Sequence, residues 1–193
     1  PQGQHSLLPC PWYLYGSTLM KERDYEKVLL FSGVLSSIGF PPGMRKAVEE
    51  RFGRIIYTSP SIPFTFTDYY DEEMGTPIER FFICFESLVS PDLLSDAKVF
   101  TNEIENRFAV DGKRKINLDP GTMSIGNIVL ATTKNRAHRI AIGNRLYAEL
   151  TLMYHHKGYE SFPWTYADYK SNEVQDILLE MRRIYLDGLK KHS

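Results

Sequence analysis

The chain has 193 residues, a formal net charge of −1 and 13% aromatic residues. This length suits one domain whose core needs no disulfide or metal to stabilise it. The near-neutral charge gives no basis for attraction to nucleic acid or to a membrane surface, so we expect neither as a partner. The sequence contains just two cysteines and no apolar run of the ~20 residues that a membrane helix needs. We therefore expect a cytoplasmic protein.

The first half of the chain is predicted to alternate strands with helices. Val28–Ser36 is an apolar run that we interpret as a buried strand, with a helix over Asp24–Ser36 as the competing interpretation. Four further elements are predicted: a helix over 42–52, strands over 62–70 and 80–89, and a helix that begins at Pro91. A strand over 115–119 then leads into Asp119-Pro120-Gly121, where Pro and Gly favour a type II turn.

The second half is predicted to complete the sheet and to end in a helix. Ile128–Thr133 is compatible with a strand or a helix. His138–Ile142 and Arg145–Tyr154 are predicted to form a β-hairpin that turns at Gly143-Asn144. An aromatic-rich loop covers 157–169, and a helix over 173–189 is predicted to be capped by Asn172.

The order of these elements predicts the fold class. Strand, helix, strand, strand, helix and strand follow one another through residue 119, which is the split βαβ pattern of ferredoxin-like folds. The sequence therefore predicts an α+β domain with a ferredoxin-like, mostly antiparallel core, extended by a β-hairpin and a C-terminal helix. Residues 1–20 are predicted to be an N-terminal extension or leader, and residues 21–193 a single domain.

Candidate acidic residues lie in the middle of the chain. Asp68 and Glu86 are each predicted to share a strand face with phenylalanines, where a carboxylate must find a partner or change its pKa. Either one is a candidate general base or a member of a structural ion pair. A divalent cation such as Mg²⁺ is a possible cofactor, and Asp68, Glu73 and Asp119 are its candidate ligands.

Candidate basic residues follow on the next strands. Thr133, Lys134, His138 and Arg139 precede Glu149 in a segment where Lys and Arg can bind an anion and His can move a proton. His138 and Arg139 are neighbours at the start of a strand, so we expect them to point to opposite faces. A solvated bend and structural pairing are the simpler interpretations of these charges.

Two further candidates come from a strand end and from an aromatic loop. Asn117 and Asp119 are predicted to share one strand face just before the predicted turn, where they can face a ligand or cap the turn. Trp164 and Tyr166 can stack on a base or a sugar. Core packing, with the indole N–H bound to the backbone, is the favoured interpretation of Trp164.

Nine short motifs in fixed order carry a resemblance to a known family. They are FTDYY at 66–70, EMG at 73–75, FE at 85–86, TN at 101–102, NLDPG at 117–121, ATTK at 131–134, HRI at 138–140, YAE at 147–149 and PWTYADY at 163–169. Through them the chain resembles a bacterial domain-of-unknown-function family, number 4416, from about Lys27 to Leu189. The resemblance implies no activity. The sequence has no phosphate-binding P-loop, no zinc spacing and no serine-hydrolase elbow.

Two functions remain compatible with the sequence. The first is binding, with or without hydrolysis or transfer, of a phosphorylated or anionic small molecule or nucleotide. Asp68, Glu86, Asp119 and His138 would then be the catalytic candidates. The second is a non-catalytic interaction protein, a monomer or homodimer, whose buried charges are structural ion pairs.

Overall fold

The computed structural model describes residues 24–192 of the chain. The predicted extension over residues 1–20 lies outside the described residues. Within the described part, no helix has the length and apolar character that crossing a membrane requires.

The described region folds into one antiparallel sheet with helices on both faces. Its strands are β1 (Val28–Ser36), β2 (Ile55–Thr58), β3 (Ile62–Pro63), β4 (Glu79–Val89), β5 (Ile116–Met123), β6 (Asn127–Thr132), β7 (Arg139–Ala141), β8 (Tyr147–His155) and β9 (Gly158–Ser161). Its α-helices are α1 (Pro42–Phe52), α2 (Asp71–Met74), α3 (Leu93–Arg107) and α4 (Asn172–His192), and a short 3-10 helix covers Asp168–Lys170. The strand order is β2-β4-β1-β5-β6-β8-β7, while β3 pairs with β4 and β9 with β8. The fold is therefore α+β with a C-terminal helix, as predicted.

Alternating side chains of the central strands build two separate cores. Leu30 and Val34 of β1 lie on one face, against α1 and α3. Leu29 and Phe31 lie on the other face, against α4. The helices cover both faces of the sheet, which explains why β1 is buried along its whole length.

The elements with strong apolar periodicity lie where they are predicted. The strand over 28–36 is confirmed, so the competing helix over 24–36 is wrong. The helix over 42–52 and the strand at 80–89 are also confirmed. Residues 128–132 form a strand, not a helix. The C-terminal helix begins one residue before its predicted start, and the Ser171 hydroxyl, not Asn172, accepts the N–H of Val174.

The predicted strand over 62–70 is wrong beyond Pro63. Ile62 and Pro63 pair with β4, but the chain then leaves the sheet and reaches α2 through a turn. Pro63 has no N–H to donate to a ladder, which favours the end of an edge strand at this position. The aromatic residues that follow pack beside α2 instead, where Phe64 and Tyr70 lie against the small core around Leu35.

The predicted turn at Asp119-Pro120-Gly121 is also wrong, because β5 runs straight through it. Gly121 pairs with Phe31 of β1 and with Leu130 of β6. A Cβ at Gly121 would lie 2.5 Å from the Phe31 ring, so glycine serves close packing here and not a turn. The connection to β6 comes later, where the Ser124 hydroxyl accepts the N–H groups of Gly126 and Asn127.

Candidate functional site

A cleft of about 620 Å³ opens over the sheet, and Lys98 and Asn102 of α3 form part of its lining. Its floor is formed by β4, β5 and β6, and its walls by the segment 64–70, residues 133–134 and the segment 166–169. The volume is in the range typical of small-molecule sites. Among the described residues, four basic side chains and two carboxylates line the cleft: Arg80, Lys98, Arg114, Lys134, Asp119 and Asp168.

Arg80 and Asp168 form a buried ion pair at the base of this cleft. Arg80 Nη2 lies 2.7 Å from Asp168 Oδ2, and the two side chains are 6% and 4% exposed. Burial, the largest influence, would lower the pKa of Arg80, but Asp168, Tyr169 and Asp119 together outweigh it and the pKa is raised. The guanidinium is surrounded by the rings of Phe64, Phe82 and Tyr169 at 5.5–5.8 Å. The base of the cleft thus carries a permanent positive charge among aromatic rings.

The Arg80 pair leaves polar atoms without partners. Arg80 Nε, Arg80 Nη1 and the Tyr169 hydroxyl have no hydrogen-bond partner among the described residues. Burial raises the pKa of the Tyr169 phenol well above its ordinary value, so the hydroxyl stays protonated and can donate. Both groups lie over Gly33, where a Cβ would be 2.8 Å from Arg80 Nη1 and 3.1 Å from the Tyr169 hydroxyl. Gly33 therefore makes the room that the Arg80 guanidinium occupies.

Asp119 on β5 is held by two neighbours. Its Oδ1 lies 3.3 Å from Lys98 Nζ, and its Oδ2 accepts a 2.7 Å hydrogen bond from Asn117 Nδ2. Burial acts to raise the pKa of the Asp119 carboxyl, but the charges of Lys98 and Arg80 outweigh it and hold the pKa below its ordinary value. Asp119 is therefore an anionic acceptor and a weak base.

Arg114 links three acceptors at the other end of β5. Its Nε and Nη2 bind both oxygens of Glu73 at 2.6 and 2.8 Å, and Nη1 donates to Glu105 and Asn117. The hydrogen bond with Glu73 raises the pKa of Arg114, and the same bond lowers the pKa of Glu73. Glu105 also accepts the N–H of Leu118 at 2.7 Å. Arg114 and Lys98 are thus largely occupied by protein acceptors.

The mouth of the cleft is exposed and aromatic. Lys134 Nζ lies 4.6 Å from the centre of the Tyr69 ring, and both residues are exposed. Tyr166 also lines the cleft, and partial burial raises the pKa of its phenol to about 12. The Lys134 ammonium donates to one protein acceptor among the described residues, the neutral Tyr69 hydroxyl at 3.5 Å.

A second cluster beside the mouth is centred on Glu149. The buried Glu149 Oε2 is 2.9 Å from His138 Nε2 and 2.5 Å from Arg139 Nε. Arg139 also donates to the Lys134 carbonyl at 2.7 Å and to the Tyr166 hydroxyl at 3.1 Å. The expectation that His138 and Arg139 point to opposite faces is therefore wrong, because both reach the same oxygen.

The predicted site residues divide into three groups. Five line the cleft: Asn117, Asp119, Thr133, Lys134 and Tyr166. Four lie beside it in or near the second cluster: His138, Arg139, Glu149 and Trp164. The indole N–H of Trp164 binds the Leu150 carbonyl as expected, but the expected core packing is wrong, because Trp164 is 37% exposed and stacks on His138.

The third group, Asp68, Glu73 and Glu86, lies outside the cleft lining. Asp68 is exposed in the turn before α2, because the strand that would have buried it ends at Pro63. Glu86 is exposed within β4 and pairs with Arg54 at 2.6 Å. The predicted burial of both carboxylates is wrong.

The predicted metal ligands do not form a cluster. Glu73 is bound by Arg114. Among residues 24–192, no group of three or more His, Cys, Asp or Glu side chains is placed to hold a metal ion.

Several cleft residues were not predicted. Arg80, Lys98, Arg114, Asp168 and Tyr169 are the main ones. One signal was present on α3, where Leu94, Lys98, Thr101 and Glu105 recur at helical spacing and are all buried. Lys98 and Glu105 are opposite charges two turns apart on one helix face, a pattern compatible with a buried polar stripe. The helix was instead predicted from the apolar stripe beside it, so these charges were not recognised as site residues.

Comparison with curated proteins and comparison with solved structures each gave no match. One family model matches residues 26–185, which include every residue of the cleft lining. The chain therefore belongs to the DUF4416 family, a domain of unknown function.

Proposed function

We propose that the cleft binds a small anionic molecule, with a phosphate group as the first candidate anion. The observation that carries the proposal is the buried Arg80 guanidinium at the base of an open cleft, with two nitrogens unpaired among the described residues. Unpaired buried donors cost on the order of 1–3 kcal/mol each. A ligand oxygen or ordered water that completes them removes this cost.

Three donors are suited to such an anion. Arg80 supplies a charged, planar guanidinium, and the protonated Tyr169 hydroxyl next to it supplies a neutral donor. Lys134 adds an exposed ammonium at the mouth. Lys98 and Arg114 already bind protein acceptors, so they are less suited to contact the anion directly.

Asp119 gives the proposed ligand a second point of attachment. Its low pKa suits it to accept a hydrogen bond from a ligand hydroxyl or to contact a cation that accompanies a phosphate. Proton abstraction near neutral pH is a poorer role for such a carboxylate. We therefore propose binding of the anion as the function, and assign no residue to hydrolysis or transfer.

Calorimetric titration with inorganic phosphate and pyrophosphate tests the proposal. Tyr169→Phe removes one hydroxyl that has no protein partner among the described residues, so we expect unchanged stability within about 1 kcal/mol and about tenfold or more weaker binding. Tyr159→Phe is the matched control, because Tyr159 is also a buried tyrosine but lies outside the cleft lining. The proposal fails if wild type binds neither anion, or if both variants weaken binding equally.

The second candidate function is a non-catalytic interaction protein, as monomer or homodimer. It is supported by the pairing of Lys98 and Arg114 with Glu105 and other carboxylates, which gives these charges a structural role. It is also supported by Ile140 on the edge strand β7, which is 72% exposed. Self-association in sedimentation experiments, together with a silent phosphate titration, would favour this function.

We also propose that β1, β2, β4 and β5, with α1 and α3, are a ferredoxin-like core, and that β7 and β8 are the hairpin added to it. The antiparallel order β2-β4-β1-β5 and the positions of the two helices between strands support this assignment. A cytoplasmic location is our inference from the low cysteine content and the buried free thiol of Cys84.

A further inference from the structure

Aromatic rings connect the cation at the base of the cleft to the cation at its mouth. On one wall, Arg80 lies 5.5 Å from the Phe64 ring, and the next ring centres follow at 6.2 Å to Tyr70 and 4.9 Å to Tyr69. On the other wall, Arg80 lies 5.8 Å from the Tyr169 ring, and the Tyr166 ring follows at 6.3 Å. All five rings line the cleft.

The two rows of rings meet at Lys134. Tyr69 lies under the Lys134 ammonium at 4.6 Å. Tyr166 is linked to the same residue, since Arg139 binds the Tyr166 hydroxyl and the Lys134 carbonyl at once. The lining of the mouth therefore carries two exposed rings, Tyr69 and Tyr166, each connected to Lys134.

The rings at the mouth are the exposed ones. Tyr69 is 63% exposed, Tyr166 42% and Phe66 41%, whereas Tyr169 at the base is 1% exposed. Single exposed aromatic residues are common on protein surfaces. Here, however, three exposed aromatic side chains line one cleft that also contains a buried cation. Together they form an apolar surface beside the anion site, where a planar ligand group can pack.

We propose that the ligand of the cleft carries a planar ring next to its anionic group, and that this ring packs in the mouth between Tyr69 and Tyr166. The ligand class is a phosphate monoester of a ring-bearing molecule, a chemistry shared by aryl phosphates and nucleoside monophosphates. The inference rests on the proposed anion binding and adds the second recognition element. A cleft of about 620 Å³ has room for both groups.

Matched ligands separate the contribution of the ring from that of the anion. Methyl phosphate and phenyl phosphate carry the same charged group and differ in the ring. Stacking on aromatic side chains predicts that phenyl phosphate binds wild type about tenfold tighter than methyl phosphate by calorimetry. A nucleoside monophosphate, titrated in parallel, shows whether a base replaces the phenyl ring.

Two variants with matched exposure complete the test. Tyr69→Leu is expected to remove most of the advantage of phenyl phosphate over methyl phosphate, taken as the ratio of the two affinities within the same variant, because an effect through Lys134 acts on both ligands alike. Tyr25→Leu is the control, because Tyr25 is 65% exposed and lies outside the cleft lining. Both residues are exposed, so circular dichroism and urea midpoints should match those of wild type.

The outcomes distinguish this inference from the proposed function. If methyl phosphate and phenyl phosphate bind equally, the ring inference is overturned and anion binding stands. If Tyr25→Leu loses the advantage of phenyl phosphate as fully as Tyr69→Leu does, the mouth is not the ring site. If no phosphate-bearing probe binds wild type, both the proposed function and this inference are overturned.

Discussion

The buried pair of Arg80 and Asp168 allows a quantitative test of the architecture of the cleft. Asp168→Asn keeps the shape of the side chain but leaves Arg80, which is 5% exposed, without its counter-charge. Breaking a buried pair by removing one partner costs about 3–5 kcal/mol. For a domain of this size, that corresponds to a loss of about 6–20 °C in Tm.

An exposed pair with nearly the same geometry provides the control. Arg54 Nη2 lies 2.6 Å from Glu86 Oε1, against 2.7 Å for the buried pair, but these side chains are 69% and 53% exposed. Solvent screens such pairs and side-chain entropy opposes them. Glu86→Gln should therefore leave the urea midpoint unchanged within error.

Urea unfolding, with the slope m held common to all variants, measures both effects. The double variant Arg80→Met with Asp168→Leu replaces the pair by apolar groups and should recover most of the stability lost in Asp168→Asn. This double variant also keeps the test decisive if Asp168→Asn does not fold. A loss for Asp168→Asn as small as that for Glu86→Gln would refute the reasoning, because burial would then make no difference.

Three further outcomes are expected. Gly33→Ala places a Cβ 2.8 Å from Arg80 Nη1 and should lower the free energy of unfolding in urea by about 1–3 kcal/mol. Gly126→Ala is the control, because the new Cβ meets open space, and should lower it by less than about 1 kcal/mol. Equal losses would contradict the close approach at Gly33. Asp119 has a lowered pKa in the folded protein, so its stabilising contribution is present above its unfolded pKa of about 3.9 and is lost as the pH falls through the folded value. Asp119→Asn should accordingly flatten the dependence of the unfolding free energy on pH below about 4, and an unchanged slope would count against the ion pair with Lys98. Burial raises the pKa of the Cys84 thiol, so the native protein should react slowly with iodoacetamide. Mass spectrometry should find Cys84 alkylated in urea and unmodified in the native protein. Rapid labelling of the native protein would contradict this, because it would show that the core around Cys84 becomes accessible to solvent.

Much of the fold could be predicted because its central elements are patterned by burial. β1, β4 and α4 bury apolar side chains at regular spacing, and that spacing is visible without coordinates. The two errors in the sheet have a local origin. In the first, the alternation of apolar and polar residues continues past Pro63, but the chain has no partner strand there. In the second, the Pro-Gly pair predicts a turn, whereas β5 runs through it and the glycine allows close packing.

The site was less predictable, because its charged residues find partners far along the chain. Arg80 at the start of β4 looks like an ordinary strand-end cation until Asp168 is placed against it. Lys98 likewise looks like a solvated helix residue until β5 brings Asp119 beside it. Asn117 and Asp119 were accessible to prediction because they share one strand face, a relation that depends on spacing alone. Asp68 failed because its strand ends at Pro63, and Glu86 failed because it is exposed and pairs with Arg54 although it lies within β4.

The single guanidinium of Arg139 has a mechanical consequence for the molecule. It belongs to β7, the last strand of the sheet path, and it joins Glu149 of β8 to the main chain of Lys134 and to the Tyr166 hydroxyl. Displacement of β7 must therefore break one of these contacts or carry the Lys134 and Tyr166 segments with it. Force applied along this border of the sheet, including force from another strand added to it, therefore reaches the entrance of the cleft through the Arg139 side chain as well as through the backbone.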